Sequence, residues 1–244
     1  MNKVFLFLSL IFLSSCVSLS TVNSTYFNSE KAKGYCCYDT DSKVYYQISN
    51  DEENLHIKLN TAEPGSMAKI LKTGLKIYFD IEGKKNQEVF FQYPIISSQD
   101  IPNQKSMKPN GNQSFNFPKQ VSEYHKEALF NQYGSVDRFP LLLSNSDIKV
   151  SISVNDKREL DYDLIIPFSR IAEGGILSFS NLSIGIVSGK MNRGSAVNPG
   201  QSQGRMSGGG KGGGRRGMSG GNRPNNSAKS AMSSPINIWF KVNL

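Results

Sequence analysis

Apolar and polar residues alternate along much of this chain with a period of two, the pattern of strands that bury one face. Val44, Tyr46 and Ile48 alternate with polar neighbours, Ser49-Asn50-Asp51-Glu52 interrupts, and Leu55, Ile57 and Leu59 resume the alternation. Two such runs around a polar tip predict a hairpin. Pro64-Gly65-Ser66 opens a different period: Met67, Ile70 and Leu71 fall on one helical face, Ser66 is a candidate cap and Gly74 a candidate stop. Strands are then predicted at Leu75 to Phe79 and Glu88 to Tyr93, separated by the polar turn Asp80 to Gln87. Residues 97 to 117 are rich in Ser, Asn, Gln and Pro and predict an irregular connection.

Pro118 to Tyr133 predicts a second helix, with Val121, Tyr124, Ala128 and Leu129 on one face and Gly134 as its stop. Further strands are expected at Phe139 to Leu143, Ile148 to Val154, Tyr162 to Pro167, Ile176 to Val187 and Pro235 to Asn243. Eight or nine short strands with two small helices predict an all-β, antiparallel β-sandwich.

Some of these strands carry a resemblance. Tyr46-Gln47-Ile48-Ser49-Asn50-Asp51, Asn54-Leu55-His56-Ile57-Lys58-Leu59 and Gly74-Leu75-Lys76-Ile77-Tyr78-Phe79-Asp80 with Gly83-Lys84-Lys85 resemble the opening strands of lipoproteins common in Bacteroidetes. Tyr162-Asp163-Leu164-Ile165-Ile166-Pro167 resembles a later strand of the same group. Those domains are similar to DOMON-like sandwiches and the family-nine carbohydrate-binding module. The resemblance covers about residues 43 to 188 and 235 to 244, and implies the sandwich fold with a sugar, a haem or no known ligand. The sugar-binding members clamp their ligand between tryptophans, whereas this chain has only Trp239, and no His/Met axial pair for haem is evident.

The N-terminus adds a location. Met1-Asn2-Lys3 precedes a mostly apolar run, Val4 to Leu13, which has the layout of an export signal and is about half the length of a membrane span. Leu13-Ser14-Ser15-Cys16 resembles the bacterial lipobox, in which the cysteine is lipidated and becomes the new N-terminus. The alternative is an ordinary signal peptide that happens to contain a cysteine. The organisation read from the sequence is a signal peptide over 1–15, a tether over 16–33, a sandwich over 34–189, a Gly/Arg-rich disordered insertion over 190–234 and a final strand over 235–244. The expected setting is the bacterial cell envelope, lipid-anchored through Cys16 on the outer membrane and facing the periplasm.

Charge changes the picture in one place. The chain has 28 basic and 20 acidic residues, net +8. Residues 189 to 234 hold Lys190, Arg193, Arg205, Lys211, Arg215, Arg216, Arg223 and Lys229 and no acid, so without them 20 bases face 20 acids. Lys211, Arg215, Arg216 and Arg223 are candidate contacts for a polyanion. Anionic lipid, lipopolysaccharide or acidic glycan fits an exported protein; nucleic acid is not expected. A solubilising spacer without a partner is the competing reading.

Candidate chemistry is sparse. Cys36 and Cys37 are adjacent, below the usual ~4.4–6.8 Å Cα separation for a disulfide, and read as small apolar residues at the start of a strand. No hydrolase or zinc motif involves His56 or His125, and the acids at Asp39, Asp41 and Asp51 to Glu53 lack calcium-loop spacing. No catalytic residue, metal or cofactor is therefore assigned, and the chain reads as a non-catalytic binding module. Alternation leaves Tyr45, Tyr78 and Trp239 out of phase with their buried neighbours. Exposed aromatic rings can stack on the apolar side of a sugar, so these three are the candidate ligand-binding residues; the competing reading is that covering loops or helices partly bury the second face of these strands. Sequence spacing does not say whether they share a sheet.

Overall fold

The computed structural model describes residues 19–95, 127–141, 146–179, 181–191 and 234–244. They form a β-sandwich. One sheet has seven strands in the order β1 (Ser20–Asn23), β13 (Asn237–Asn243), β12 (Ser183–Ser188), β6 (Leu75–Asp80), β7 (Val89–Tyr93), β8 (Glu127–Gln132) and β9 (Ser135–Pro140). The other has six: β10 (Lys149–Val154), β11 (Leu160–Pro167), β5 (Asn54–Thr61), β4 (Val44–Asn50) and β2 (Thr25–Tyr26) in order, with β3 (Cys37–Asp39) also paired to β4. Pairing is antiparallel except where β1 joins β13 and β2 joins β4 in parallel.

The core comes from the inward set of each alternation. Leu55, Ile57 and Leu59 of β5, Leu160, Tyr162, Leu164 and Ile166 of β11, Leu75, Ile77 and Phe79 of β6 and Ile238, Phe240 and Val242 of β13 are all buried. Rings meet across the gap: Tyr46 stacks on Phe240 with centroids 4.9 Å apart, and Tyr93 lies 6.3 Å from Tyr162. Helix α1 (Pro64–Thr73) carries the chain from one sheet to the other and buries Met67, Ile70 and Leu71. A one-turn helix, Phe168–Ile171, follows β11 and buries Phe168 and Ile171 at the opposite end.

Several expectations are corrected. The cap of α1 is Glu63, whose carboxylate accepts from the Gly65 amide; the Ser66 hydroxyl instead donates to the Ser42 carbonyl. Gly74 does stop the helix, at φ 74°, where a Cβ would lie 2.3 Å from the Pro94 carbonyl oxygen. The end of the second predicted helix is a strand, because Ala128 and Phe130 enter the core and Phe130 pairs with Phe91 of β7. Residues 118 to 126 of that helix lie outside the described residues. The strand predicted from Ile176 begins only at Ser183; Gly175–Ser178 is a 3-10 turn.

The expected tether is also structured from Ser20 onward. Val22 is buried against the edge of β13, and Phe27 lays its ring on His56 with centroids 4.0 Å apart. His56, out of phase with the core residues Leu55 and Ile57, is still only 5% exposed because this N-terminal segment covers it. Cys16, Lys211, Arg215, Arg216 and Arg223 lie outside the described residues.

Candidate ligand-binding faces

The three candidate aromatic residues do not form one site. Tyr78 and Trp239 belong to the seven-stranded sheet and Tyr45 to the other, each on the side away from the core. The proposed trio is therefore split between two outer faces.

On the first face, cross-strand register builds an aromatic row. Trp239 pairs with Gly185, Gly185 with Tyr78, Tyr78 with Phe90, and Phe90 with Asn131. The Trp239 and Tyr78 rings are inclined by only 14° with centroids 5.7 Å apart, and Phe90 lies 5.5 Å beyond Tyr78. Gly185 makes this possible. A Cβ there would sit 2.5–2.6 Å from three consecutive atoms of the Trp239 six-membered ring. Near-equal distances to three neighbouring ring atoms mean that the indole lies face-down across β12. With strands ~4.8 Å apart, Trp239 to Phe90 makes a strip ~14 Å long.

Polar groups flank the strip. Trp239 Nε1 donates to Asn237 Oδ1 at 3.1 Å, and Lys76 Nζ stands 4.4 Å from the Phe90 centroid. Gln92 pairs with Lys76 on the same outward row. Tyr78 is 8% exposed, enclosed by its neighbours, while Trp239 and Phe90 are half-buried. Burial pushes the Tyr78 hydroxyl above its ordinary range, so it stays protonated at neutral pH.

On the second face, Tyr45 is cross-strand partner to Tyr38, with centroids 4.4 Å apart, and Tyr35 approaches it at 6.3 Å. Sequence alternation identified Tyr45 but neither partner. Tyr38 lies on the short strand β3 and Tyr35 precedes it, where no alternation marks a face. The outward row continues from Tyr45 to Asn60 to Asp161.

Other reactive groups are quiet. Cys36 and Cys37 are free; Cys37 packs against the core, and burial followed by the neighbouring Cys36 pushes its thiol up to about 12, so it is not a thiolate at neutral pH. Among the described residues no group of three or more His, Cys, Asp or Glu side chains could hold a metal ion, and no helix is long and apolar enough to cross a membrane. A cavity of about 370 Å³, lined by Asp39, Asp41, Ser42, Lys69, Ser234, Pro235 and Asn237, marks where the chain returns to the sandwich after the Gly/Arg-rich segment. No protein-family model matches the chain, and no curated protein matches it.

Proposed function

We propose that this chain is a lipid-anchored, non-catalytic binding module of the bacterial cell envelope, and that its ligand is a carbohydrate held on the Trp239–Tyr78–Phe90 strip. The observation that carries the reading is the indole laid flat over Gly185, parallel to Tyr78. A core ring is enclosed on both sides; this one turns one face to its own sheet and leaves the other half-open. Such a ring offers an apolar plate for the carbon–hydrogen side of a sugar, with Asn237 beside it and Lys76 and Gln92 at the Phe90 end of the strip for the hydroxyls.

Trp239 is the chain's single tryptophan, so its fluorescence reports on this face alone. Titration with β-linked gluco- and N-acetylgluco-oligosaccharides is expected to give a saturable change in emission. In Trp239→Ala, binding followed by calorimetry should weaken by about tenfold or more, equivalent to ~1.4 kcal/mol. A flat fluorescence titration together with no calorimetric signal would remove the carbohydrate reading. The anchor has its own test: Cys16→Ser should move the protein from the membrane to the soluble fraction.

A second reading rests on the eight cations and no acids of residues 189 to 234. An assembly protein could use that segment to hold anionic envelope components, leaving Trp239 unperturbed.

A further inference from the structure

The tyrosine face of the six-stranded sheet differs in chemistry from the tryptophan strip. Tyr35 and Tyr38 both pack on Tyr45, yet the three remain 41%, 43% and 45% exposed. Their rings are inclined by 35° and 47°, so they form open clefts and not a flat plate.

Carboxylates stand beside these rings, and among the described residues no ion pair is made by the one that meets them, Asp161. The Tyr35 hydroxyl donates to Asp161 Oδ1 at 3.3 Å. The other groups on Asp161 are neutral amides, Asn60 Nδ2 at 2.7 Å and Asn155 Nδ2 at 3.2 Å. They orient the carboxylate without cancelling its charge. Glu159 is likewise held by Asn155 Nδ2, at 2.9 Å. Asp163 is the next outward residue of β11, and its cross-strand neighbour Lys58 offsets part of its charge. The combined field is felt at Tyr35: burial first, then Asp161, Asp163 and Glu159, push its hydroxyl well above the ordinary range.

We propose that Tyr35, Tyr38 and Tyr45, with Asp161 beside them, form a binding site for a small organic cation bearing an alkylated ammonium group. The negative faces of aromatic rings and a carboxylate both favour positive charge at the same place. The cluster already receives one cation at its rim, since Lys43 Nζ lies 6.0 Å from the Tyr38 centroid. A guanidinium fits less well. It stacks flat and grips a carboxylate with two parallel bonds, whereas these rings are tilted and each Asp161 oxygen already accepts an amide. A compact, weakly hydrated ammonium suits tilted rings. Polar Asn60, Gln47 and Lys58 occupy the neighbouring outward positions, so among the described residues no apolar groove continues along β4 and β5 to hold a lipid chain or a peptide.

Choline chloride is the probe, titrated into the full chain at constant ionic strength and followed by the ring resonances of the tyrosines. Its neutral carbon isostere, 3,3-dimethylbutan-1-ol, is titrated in parallel. Saturable shifts of Tyr35, Tyr38 and Tyr45 are expected with choline, at least about fivefold tighter than with the isostere. Asp161→Asn should weaken choline severalfold and leave the isostere unchanged. Tyr45→Ala, at an exposed position, should remove the shifts while the amide spectrum stays that of a folded sandwich. No saturable shift with choline, equal binding of the isostere, or binding only to phosphatidylcholine vesicles and not to free choline would each overturn the proposal. Trp239 lies on the other sheet and its resonance should not move, so this site and the carbohydrate strip stand or fall separately.

Discussion

The residue that organises the tryptophan face is one without a side chain. Gly185 sits in a central strand between Ile184 and Ile186, where a glycine weakens the strand by roughly 0.5–1 kcal/mol relative to alanine. Its three closest would-be Cβ contacts all belong to Trp239. Gly185→Ala should therefore lift the indole, shift its emission to the red, and destabilise the fold by about 1–3 kcal/mol through overpacking. In a Trp239→Ala background the same change should stabilise by ~0.5–1 kcal/mol, because the clash is gone and only the strand preference remains. A double-mutant cycle by chemical denaturation measures that reversal of sign. Tyr162 offers a contrasting case. Its hydroxyl is buried without a hydrogen-bond partner among the described residues, so Tyr162→Phe should leave the melting temperature unchanged or raise it. Alternation alone placed Tyr45, Tyr78 and Trp239 on outward faces. It did not reveal which rings meet, because Trp239 reaches Tyr78 through a strand order of β13, β12, β6 that no local pattern encodes. The isolated glycine in an apolar strand was the available signal of a close approach.

At the scale of elements, what could be read from the sequence depended on whether a segment's own periodicity or a distant partner decided its state. Helix α1 was legible because Met67, Ile70 and Leu71 share a face and Gly74 ends it. Strand β8 was not: Glu127-Ala128-Leu129 are strong helix formers, and only pairing of Phe130 with Phe91 overrides them. Strand β1 inserts a single residue, Val22, into the core and pairs with β13 at the far end of the chain, so nothing near it announces a strand. The β4–β5 turn was predicted as a polar tip, but its chemistry is tighter than that. Asp51 Oδ1 accepts the amides of Glu53 at 2.9 Å and Asn54 at 2.7 Å, and Oδ2 lies 2.8 Å from His56 Nε2, whose ring carries Phe27. Burial pushes the Asp51 carboxyl up, but the bond to His56 and the backbone amides outweigh it and hold the group at about 2, below its ordinary 3.8. A carboxyl depressed in the folded state contributes stability above its unfolded value and loses that contribution as pH falls from about 4 through 2. Asp51→Asn should thus cost about 1–2 kcal/mol at neutral pH. Urea denaturation at successive pH values should show the gap to wild type closing across that window, and a constant gap would mean that the carboxylate charge is not what holds the turn.

For the whole molecule, charge and fold are carried by different parts of the chain. Strands β12 and β13 are neighbours: Val187 pairs with Asn237, and the Ser188 amide donates to the Ile236 carbonyl at 3.0 Å. The Gly/Arg-rich segment thus begins and ends at adjacent points of one antiparallel pair, and the sandwich does not need it to join them. Replacing residues 190 to 233 with a short Gly-Ser turn should keep the fold and raise stability by about 2 kcal/mol, the loop-closure difference between some 46 residues and four. The same deletion removes all eight cations and takes the formal net charge from +8 to zero. Two consequences separate from each other there. Solubility should fall near neutral pH, because self-repulsion between molecules is lost. Any binding to vesicles containing phosphatidylglycerol should disappear as well, and in wild type that binding should weaken steeply between low and physiological salt. Sedimentation with such vesicles measures the second effect. If the deleted form still binds as wild type does, the cations of the sandwich carry the interaction; if wild type never binds at low salt, the segment's charge serves solubility and the polyanion reading is lost. Either result leaves the tryptophan strip untouched, because Trp239 is held from β12 and β6.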